Sequence, residues 1–550
     1  MRRLLLIPVA MIALLLGLMY FSDTGSENRA DFVFVDRSDI KNLDIPKLTY
    51  MQDIRVAYGL WEGLYTLDPV TLDPIPGCAN PIEVSEDKKV YTFHIRPDAK
   101  WSNGDPVLAR NFIFAWKRML EGEAEYAGLF GYITGVDEYR KAIAAKSNPD
   151  FLKMVGVELK ADDPRYLRVH LNSAIPFFPD LAAFAPFFPS HEASMMMKDE
   201  STGQPIINPH YTRPPTLVTN GPYRLDQWEF KRRLRLVASD YYWDKSNVKS
   251  HTIDVMVIEN PQYAFEAYDS GAIDWWVEVS GDIGGELIRK KRPDLQIWTS
   301  FGTYFYSFNC QEKLPDGTDN PLHKIPVRQA LSMAVEKQFL VDNIMRMGQP
   351  VATNYVPPGA FKGYISPKGL PFDSSRARKL LADAGYPNGA GFPVFKINFN
   401  NEGQHKEIAE YLQREWKKHL NIATELDGKE LASFSDQLRT KKYSISRASW
   451  YGDYNDLSTF SDKYLPHGQG NDAGWDNDKF GEYCAQAATE TDPVKRTRIF
   501  EKAEAIMLEE APIMPLYHYV NSSMHRPNVI GVPQNARNMV MLKSAQVVKK

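Results

Sequence analysis

One stretch decides where this chain can fold. Met1-Arg2-Arg3 opens onto an uncharged run from Leu4 to Phe21, LLLIPVAMIALLLGLMYF, and no second run of that length follows. Arginines ahead of an apolar run stay on the cytoplasmic side, so the rest of the chain is exported. The run exceeds the ~7–15 residues of a cleaved signal's apolar core and approaches the ~20 of a spanning helix. Tyr20 and Phe21 stand where interfacial aromatics would, Thr24-Gly25-Ser26 is a poor cleavage site, and no cysteine follows for lipid attachment. A cleaved signal and a retained anchor both remain open. Residues 1–31 are this segment plus a polar linker, SDTGSENRAD, and the remainder is a soluble body outside the cytoplasmic membrane.

That body must hold several units, since the chain has 550 residues. Cores of that size need no disulfide or metal staple. Lys+Arg 65 against Asp+Glu 69 leaves −4, and without a long basic run this argues against a nucleic-acid partner. Cys78, Cys310 and Cys484 are far apart and outside any C-x-x-C motif, so they read as buried free thiols, although export would permit one disulfide. The aromatic share of 12% supplies cores and ligand pockets alike.

The patterning is mixed α/β. Short strands are expected at 32–35, 91–95 and 167–171, and alternating runs at 233–238 and 252–258. Helical spacing covers 53–65, 111–120, 262–270, 326–345, 373–384, 407–420 and 493–509. The succession strand 395–399, helix, strand 423–426 gives a sheet covered by helices. Residues 174–190, with Pro176, Pro179, Pro186 and Pro189, read as an irregular apolar loop. The last strands are expected at 514–520 and 538–542, and a new unit near Thr303.

Enzyme signatures are missing. The sequence has no G-x-x-x-x-G-K-[ST] loop, no G-x-S-x-G elbow and no H-E-x-x-H helix, and its 11 histidines are dispersed. No cofactor and no metal ligands are expected. Gly281, Gly284 and Gly285 read as a turn, and Asp453 with Asp456 is one of many chance carboxylate pairs.

Six segments, in order, carry a resemblance: GLWEGLY at 59–65 with IPGCA at 75–79, YTFHIRPDAKWSNGDPV at 91–107, TNGPY at 219–223 with Tyr242-Trp243, VRQALSMA at 327–334, SWYGDYND at 449–456, and PIMPLY at 512–517. The second is the most specific. Together they resemble the extracellular solute-binding proteins of peptide ABC transporters, family 5, over about residues 33–545. The resemblance implies an α/β, two-lobed periplasmic-binding-protein fold with an extra domain, the ligand buried between lobes. Lobe I would comprise 32–78, 206–302 and 511–550, the extra domain 79–205 and lobe III 303–510. The chain departs from the family at Pro81-Ile82, where relatives often have Trp, and at 427–432, DGKELA, where oligopeptide binders often have Trp.

A receptor for many peptides needs a fixed anion, fixed cations and a strand edge for the backbone. The segment 443–453, YSISRASWYGD, offers all three. The resemblance implies that Asp453 meets the peptide ammonium, that Arg447 and His405 meet its carboxylate at different lengths, and that Arg439 stands near a second family arginine. Trp450, Tyr451 and Gly452 flank the pairing segment, Tyr304 and Tyr306 face the cleft, and Glu62 follows a cleft position as an exposed helix residue. The expected protein is a monomeric, non-catalytic receptor that captures oligopeptides, closes by hinge motion and delivers them to membrane permease subunits driven by partner ATPases. The alternatives are the same fold with another ligand (nickel chelate, oligosaccharide, opine or antimicrobial peptide) and an exported hydrolase using Asp453 and Asp456.

Overall fold

Alternating apolar residues build one sheet through most of the molecule. The structure, a computed structural model, describes residues 29–36, 39–314, 316–468 and 470–549. The apolar run at 4–21 lies outside them, and no helix among the described residues is long and apolar enough to cross a membrane. Numbered in chain order, the strands of the main sheet are β1 (Phe32–Asp36), β2 (Tyr223–Glu229), β3 (Arg233–Ala238), β4 (Thr252–Val257), β5 (Trp275–Val277), β6 (Leu295–Phe308), β7 (Phe395–Asn400), β8 (Thr424–Lys429), β9 (Ile445–Tyr451) and β10 (Ile513–His525). Their spatial order is β2-β3-β4-β1-β5-β10-β6-β9-β7-β8. β1 lies parallel between β4 and β5, and β7 parallel between β8 and β9.

The two long strands tie these parallel halves together. β6 and β10, 14 and 13 residues, run antiparallel from Leu295↔Met524 to Ser307↔Ile513. β10 meets β5 at one end, and β6 meets β9 at the other. Their register shifts between Thr299 and Thr303 and again between Tyr304 and Phe305. A separate four-stranded antiparallel sheet, Ala79–Val84, Val90–Ile95, Tyr166–His170 and Val157–Leu159, shares one apolar core with β1 and β2 through Phe93, Trp101, Trp116, Phe34 and Leu225.

Around β6-β9-β7-β8 each face of the sheet has its own core. One holds Tyr304, Ile397, Ile445 and Trp416; the other holds Phe305, Ala448, Phe460 and Phe500. The helix His405–Leu420 belongs to the first because Ile408, Tyr411, Leu412, Trp416 and Leu420 recur at helical spacing and are buried. It stops at Asn421, whose φ of 56° no longer continues a helix.

Several expectations need correction. Gly281, Gly284 and Gly285 sit in a helix, Gly281–Arg289, not a turn. The stretch 326–345 is broken into Ile325–Met333, Lys337–Leu340 and a π-type turn Val341–Met345. Residues 174–190 hold two short helical turns, Phe178–Ala182 and Ala185–Phe187, each with proline in its first turn, where its missing N–H costs nothing. The main sheet takes no strand from 538–542; a 3₁₀ turn begins at Leu542 instead. The lobe division expected near 303 falls within β6, one of the two long strands. The three cysteines are buried and free, as read.

Candidate ligand-binding groove

β9 leaves half of its backbone open. It pairs with β6 from Phe308↔Ile445 to Gly302↔Tyr451, but with β7 only at Ile397↔Ile445 and Asn398↔Ser446. Past Ser446 the two strands part, so the peptide groups of 447–451 that point away from β6 have no strand partner among the described residues. Such an edge accepts an added strand.

Strand alternation sorts the expected site residues by face. Register places Arg447 opposite Tyr306 and Ser449 opposite Tyr304, on one face. There the Tyr304 ring stacks on Tyr517, centroids 4.8 Å apart, and on His405 at 5.5 Å, and Tyr451 stacks on Tyr519 at 4.7 Å. The Arg447 guanidinium lies over the Tyr304 ring at 5.4 Å and over Phe434 at 5.9 Å. No carboxylate pairs with it among the described residues, and its buried Nε has no hydrogen-bond partner. Tyr304 Oη and His405 Nδ1 are joined at 3.1 Å. Burial, then the Arg447 charge, pulls His405 down to about 3, so its imidazole is neutral. Tyr304 and Tyr306 are wholly buried, while Tyr451 is 48% exposed.

Trp450 falls on the opposite face, packed with the Phe305 core, its Nε1–H donating to the Thr459 carbonyl at 2.7 Å. It does not join the Arg447 cluster. Gly452 follows the strand; its N–H donates to the Phe301 carbonyl at 2.9 Å, and a Cβ would overlap the Phe301 ring. Arg439 is also elsewhere: its side chain, 73% exposed, pairs with Asp436 at 2.5 Å on the helix Leu431–Arg439.

Asp453 ends the segment. Its N–H donates to Thr459 Oγ1 at 2.9 Å, but its half-buried carboxylate meets no cation among the described residues. Burial, reinforced by the nearby Glu125 charge, raises it to about 6. Asp456 differs completely. Arg496 grips it with two bonds of 2.5 and 2.8 Å, and the Ser458 N–H adds a third at 3.0 Å. The Asp453–Asp456 acid–base pair is therefore not available as a unit.

Glu62 is not an exposed helix residue. The helix Met51–Leu60 ends before it, and the side chain is buried, 3% exposed. Its carboxylate accepts from Tyr242 Oη at 2.5 Å and Trp243 Nε1 at 2.6 Å, while its backbone is bracketed by the Asn220 amide. Burial raises its carboxyl; Lys543 and these donors oppose that. Sequence reasoning missed Tyr517, Tyr519 and Phe434 as walls of the Arg447 cluster. The i, i+2 tyrosines of β10 were a usable signal.

Arg447 and Asp453 thus stand six positions apart, about 20 Å along an extended segment, a bare cation and a bare carboxylate at the two ends of an open strand edge. The two charges have the signs that an extended chain with a free ammonium and a free carboxylate would meet. The family model of the bacterial extracellular solute-binding proteins, family 5 Middle, matches residues 73–472. The chain belongs to this family. It is 32% identical to the oligopeptide-binding protein OppA of Bacillus subtilis (strain 168), over 86% of this chain and 85% of that protein. Its fold matches the unliganded open form of the periplasmic murein tripeptide binding protein MppA with a TM-score of 0.77 at 27% identity, covering 95% of this chain and 98% of that one. It matches Haemophilus influenzae OppA in complex with RPPGFSPFR at 0.73 and 26%, covering 95% and 100%. The α/β, two-lobed periplasmic-binding-protein fold expected of a family 5 member is therefore the fold of this chain.

Proposed function

We propose that this protein is the peptide-binding receptor of an ABC importer, acting outside the cytoplasmic membrane. The observation that carries the reading is the open edge of β9 between Asp453 and Arg447. An oligopeptide adds to β9 as an antiparallel strand, its ammonium at Asp453 and its carboxylate toward Arg447 and the His405–Tyr304 pair. Charged ends fix the register, and the backbone pairing is blind to sequence. Neutral His405 offers a hydrogen bond rather than a charge, which suits a carboxylate held mainly by Arg447. Trp450, Arg439, Glu62 and Gly452 are not ligand contacts in this reading.

The lobe division follows the same logic: 32–78, 206–302 and 511–550 as one lobe, 79–205 as the extra domain, 303–510 as the other lobe, with β6 and β10 as the hinge. Bound peptide holds the lobes closed, and the closed monomer meets its permease subunits, whose ATPases supply the energy. The N-terminal run serves as export signal or as a tether. No reaction step is assigned to any residue.

Mass spectrometry of whatever co-purifies, followed by calorimetry with tri- to pentapeptides, tests the reading. Unmodified peptides and loss of affinity in Asp453→Ala are expected. Recovery of cleaved products on incubation, or wild-type affinity in Asp453→Ala, would overturn it.

A further inference from the structure

The loop that carries Asp453 is fastened on two sides. On its own side the Asp453 N–H donates to Thr459 Oγ1 at 2.9 Å, Arg496 grips Asp456, and Tyr454 Oη lies 3.1 Å from Ser458 Oγ. On the far side it meets residues 177–180. The Tyr454 ring stacks on Phe177 with centroids 4.6 Å apart, and Phe177 meets Tyr132 edge-on at 5.2 Å. Of residues 303–510, Tyr454 alone among the described residues belongs to the core that 79–205 share with β1 and β2. The Asn455 N–H donates to Asp180 Oδ2 at 2.9 Å.

Asp180 is buried, and two distant parts of the chain use its two oxygens. Arg537 Nη1 donates to Oδ1 at 2.9 Å, which leaves Oδ2 for the Asn455 N–H. In the lobe division proposed above, Asp180 belongs to the extra domain, Arg537 to lobe I and Asn455 to lobe III. One carboxylate thus joins all three, two residues beyond Asp453. A hinge motion that separates the lobes must pull Tyr454 from Phe177 and Asn455 from Asp180. Both contacts exist only while the lobes are together, so both favour that state.

We propose that Asp180 is a positioning residue of this receptor: with Phe177 it forms a socket that holds the 453–456 loop across the cleft and slows ligand release. The proposal rests on the receptor reading and its lobe division. Asp180 acts through the loop rather than on the ligand. Association starts from separated lobes, where the socket is empty, so the socket sets the rate of release and not the rate of capture.

The test uses the purified full-length protein and the peptide Ala-Ala-Lys-Ala, dansylated on its lysine side chain so that the amine end stays free. Stopped-flow mixing gives the association rate, and displacement by excess Ala-Ala-Ala-Ala gives the release rate. Removing Asp180 alone would leave Arg537 buried without a counter-charge, so two paired variants are compared. Asp180→Ala with Arg537→Met removes the acceptor; Asp180→Asn with Arg537→Met keeps an amide oxygen for the Asn455 N–H. The first should release peptide about tenfold faster than wild type and the second less than about threefold faster. Phe177→Leu, which leaves Asp180 in place, should release about three- to tenfold faster. Association should stay within about twofold of wild type in all three. Equal release rates in the two paired variants, or a loss confined to association, would overturn the proposal. If all three variants keep wild-type rates while Asp453→Ala loses the peptide, this proposal fails and the receptor reading stands. If the wild-type protein binds no peptide, the receptor reading falls and this proposal with it.

Discussion

Glu62 and Asp453 are two poorly exposed carboxylates in two regions of the molecule, and the family resemblance led to both being expected at the cleft. Around Glu62 the protein supplies every partner: two side-chain donors on the carboxylate and the Asn220 amide on the backbone. Around Asp453 it supplies burial, a neighbouring negative charge and, among the described residues, no cation. The first arrangement ties the segment just after the helix Met51–Leu60 to Asn220, ahead of β2, and to the connection between β3 and β4. The second leaves a carboxylate without a cation among the described residues, free to meet the ammonium of a ligand in the reading proposed above. In the proposed reading, the presence or absence of a protein partner, and not position in a motif, separates a structural carboxylate from a binding one.

The two regions should therefore fail in opposite ways. Asp453→Ala removes the carboxylate that follows the β9 edge. It should weaken peptide binding by about 3 kcal/mol, roughly two orders of magnitude, as when a buried pair loses one partner. Thermal stability of the ligand-free protein should stay the same or rise slightly, since an uncompensated charge is gone. Titration calorimetry and a melting curve on the same sample read both. Glu62→Ala should do the reverse, leaving Tyr242 Oη and Trp243 Nε1 buried without an acceptor. A stability loss of about 2–3 kcal/mol is expected from the urea midpoint, with the peptide dissociation constant of the folded protein unchanged. Equal loss of affinity in both variants would erase the distinction.

Between these effects lies Arg447, the other bare charge. Arg447→Met keeps the stem against Tyr304 and Phe434 and removes the cation. It should cost about 1–2 kcal/mol for peptides whose carboxylate reaches it and nothing for the same peptides amidated at that end. An equal loss for amidated peptides would place Arg447 with the structural residues.

Much of this was legible in the chain and some was not. Tyr91–Ile95 and the helix ending at Leu420 could be drawn because alternation and helical spacing are local. The six ordered motifs gave the family, and with it Asp453 and Arg447. Trp450 was expected at the site with Arg447, although parity along β9 could have separated them, since neighbours at odd spacing face opposite ways. Glu62 was misread because every residue from Gln52 to Leu60 is buried, so the helix has no wet face to extrapolate from. Tyr517 and Tyr519 escaped because β10 meets β6 only through the tertiary fold, the paired residues lying far apart along the chain, as in Tyr304↔Tyr517. Whether Asp453 or Asp456 would be bare depended on where Arg496 landed, and no local pattern carries that.

The smallest effect is the sharpest test of the Asp453 side, because it needs no mutation to appear. In the ligand-free protein the Asp453 carboxyl titrates near 6, against 3.8 ordinarily. Being raised, it detracts from stability above that pH, and the loss fades as pH falls through 6 and is gone only below the ordinary 3.8, where the group is protonated in both folded and unfolded states. Binding has the opposite slope. The peptide ammonium pairs with the ionised form, so below pH 6 each binding event must first release a proton. From pH 7.5 to 5 the affinity should fall about tenfold, roughly 1.4 kcal/mol, with proton release visible as a buffer-dependent binding heat. Other groups titrate in this window, Asp462 among them, raised to about 6 chiefly by burial. The control is Asp453→Asn, whose weak residual binding should be flat over the range. A slope that survives in Asp453→Asn would move the titration to Asp462 and take Asp453 out of contact with the ammonium.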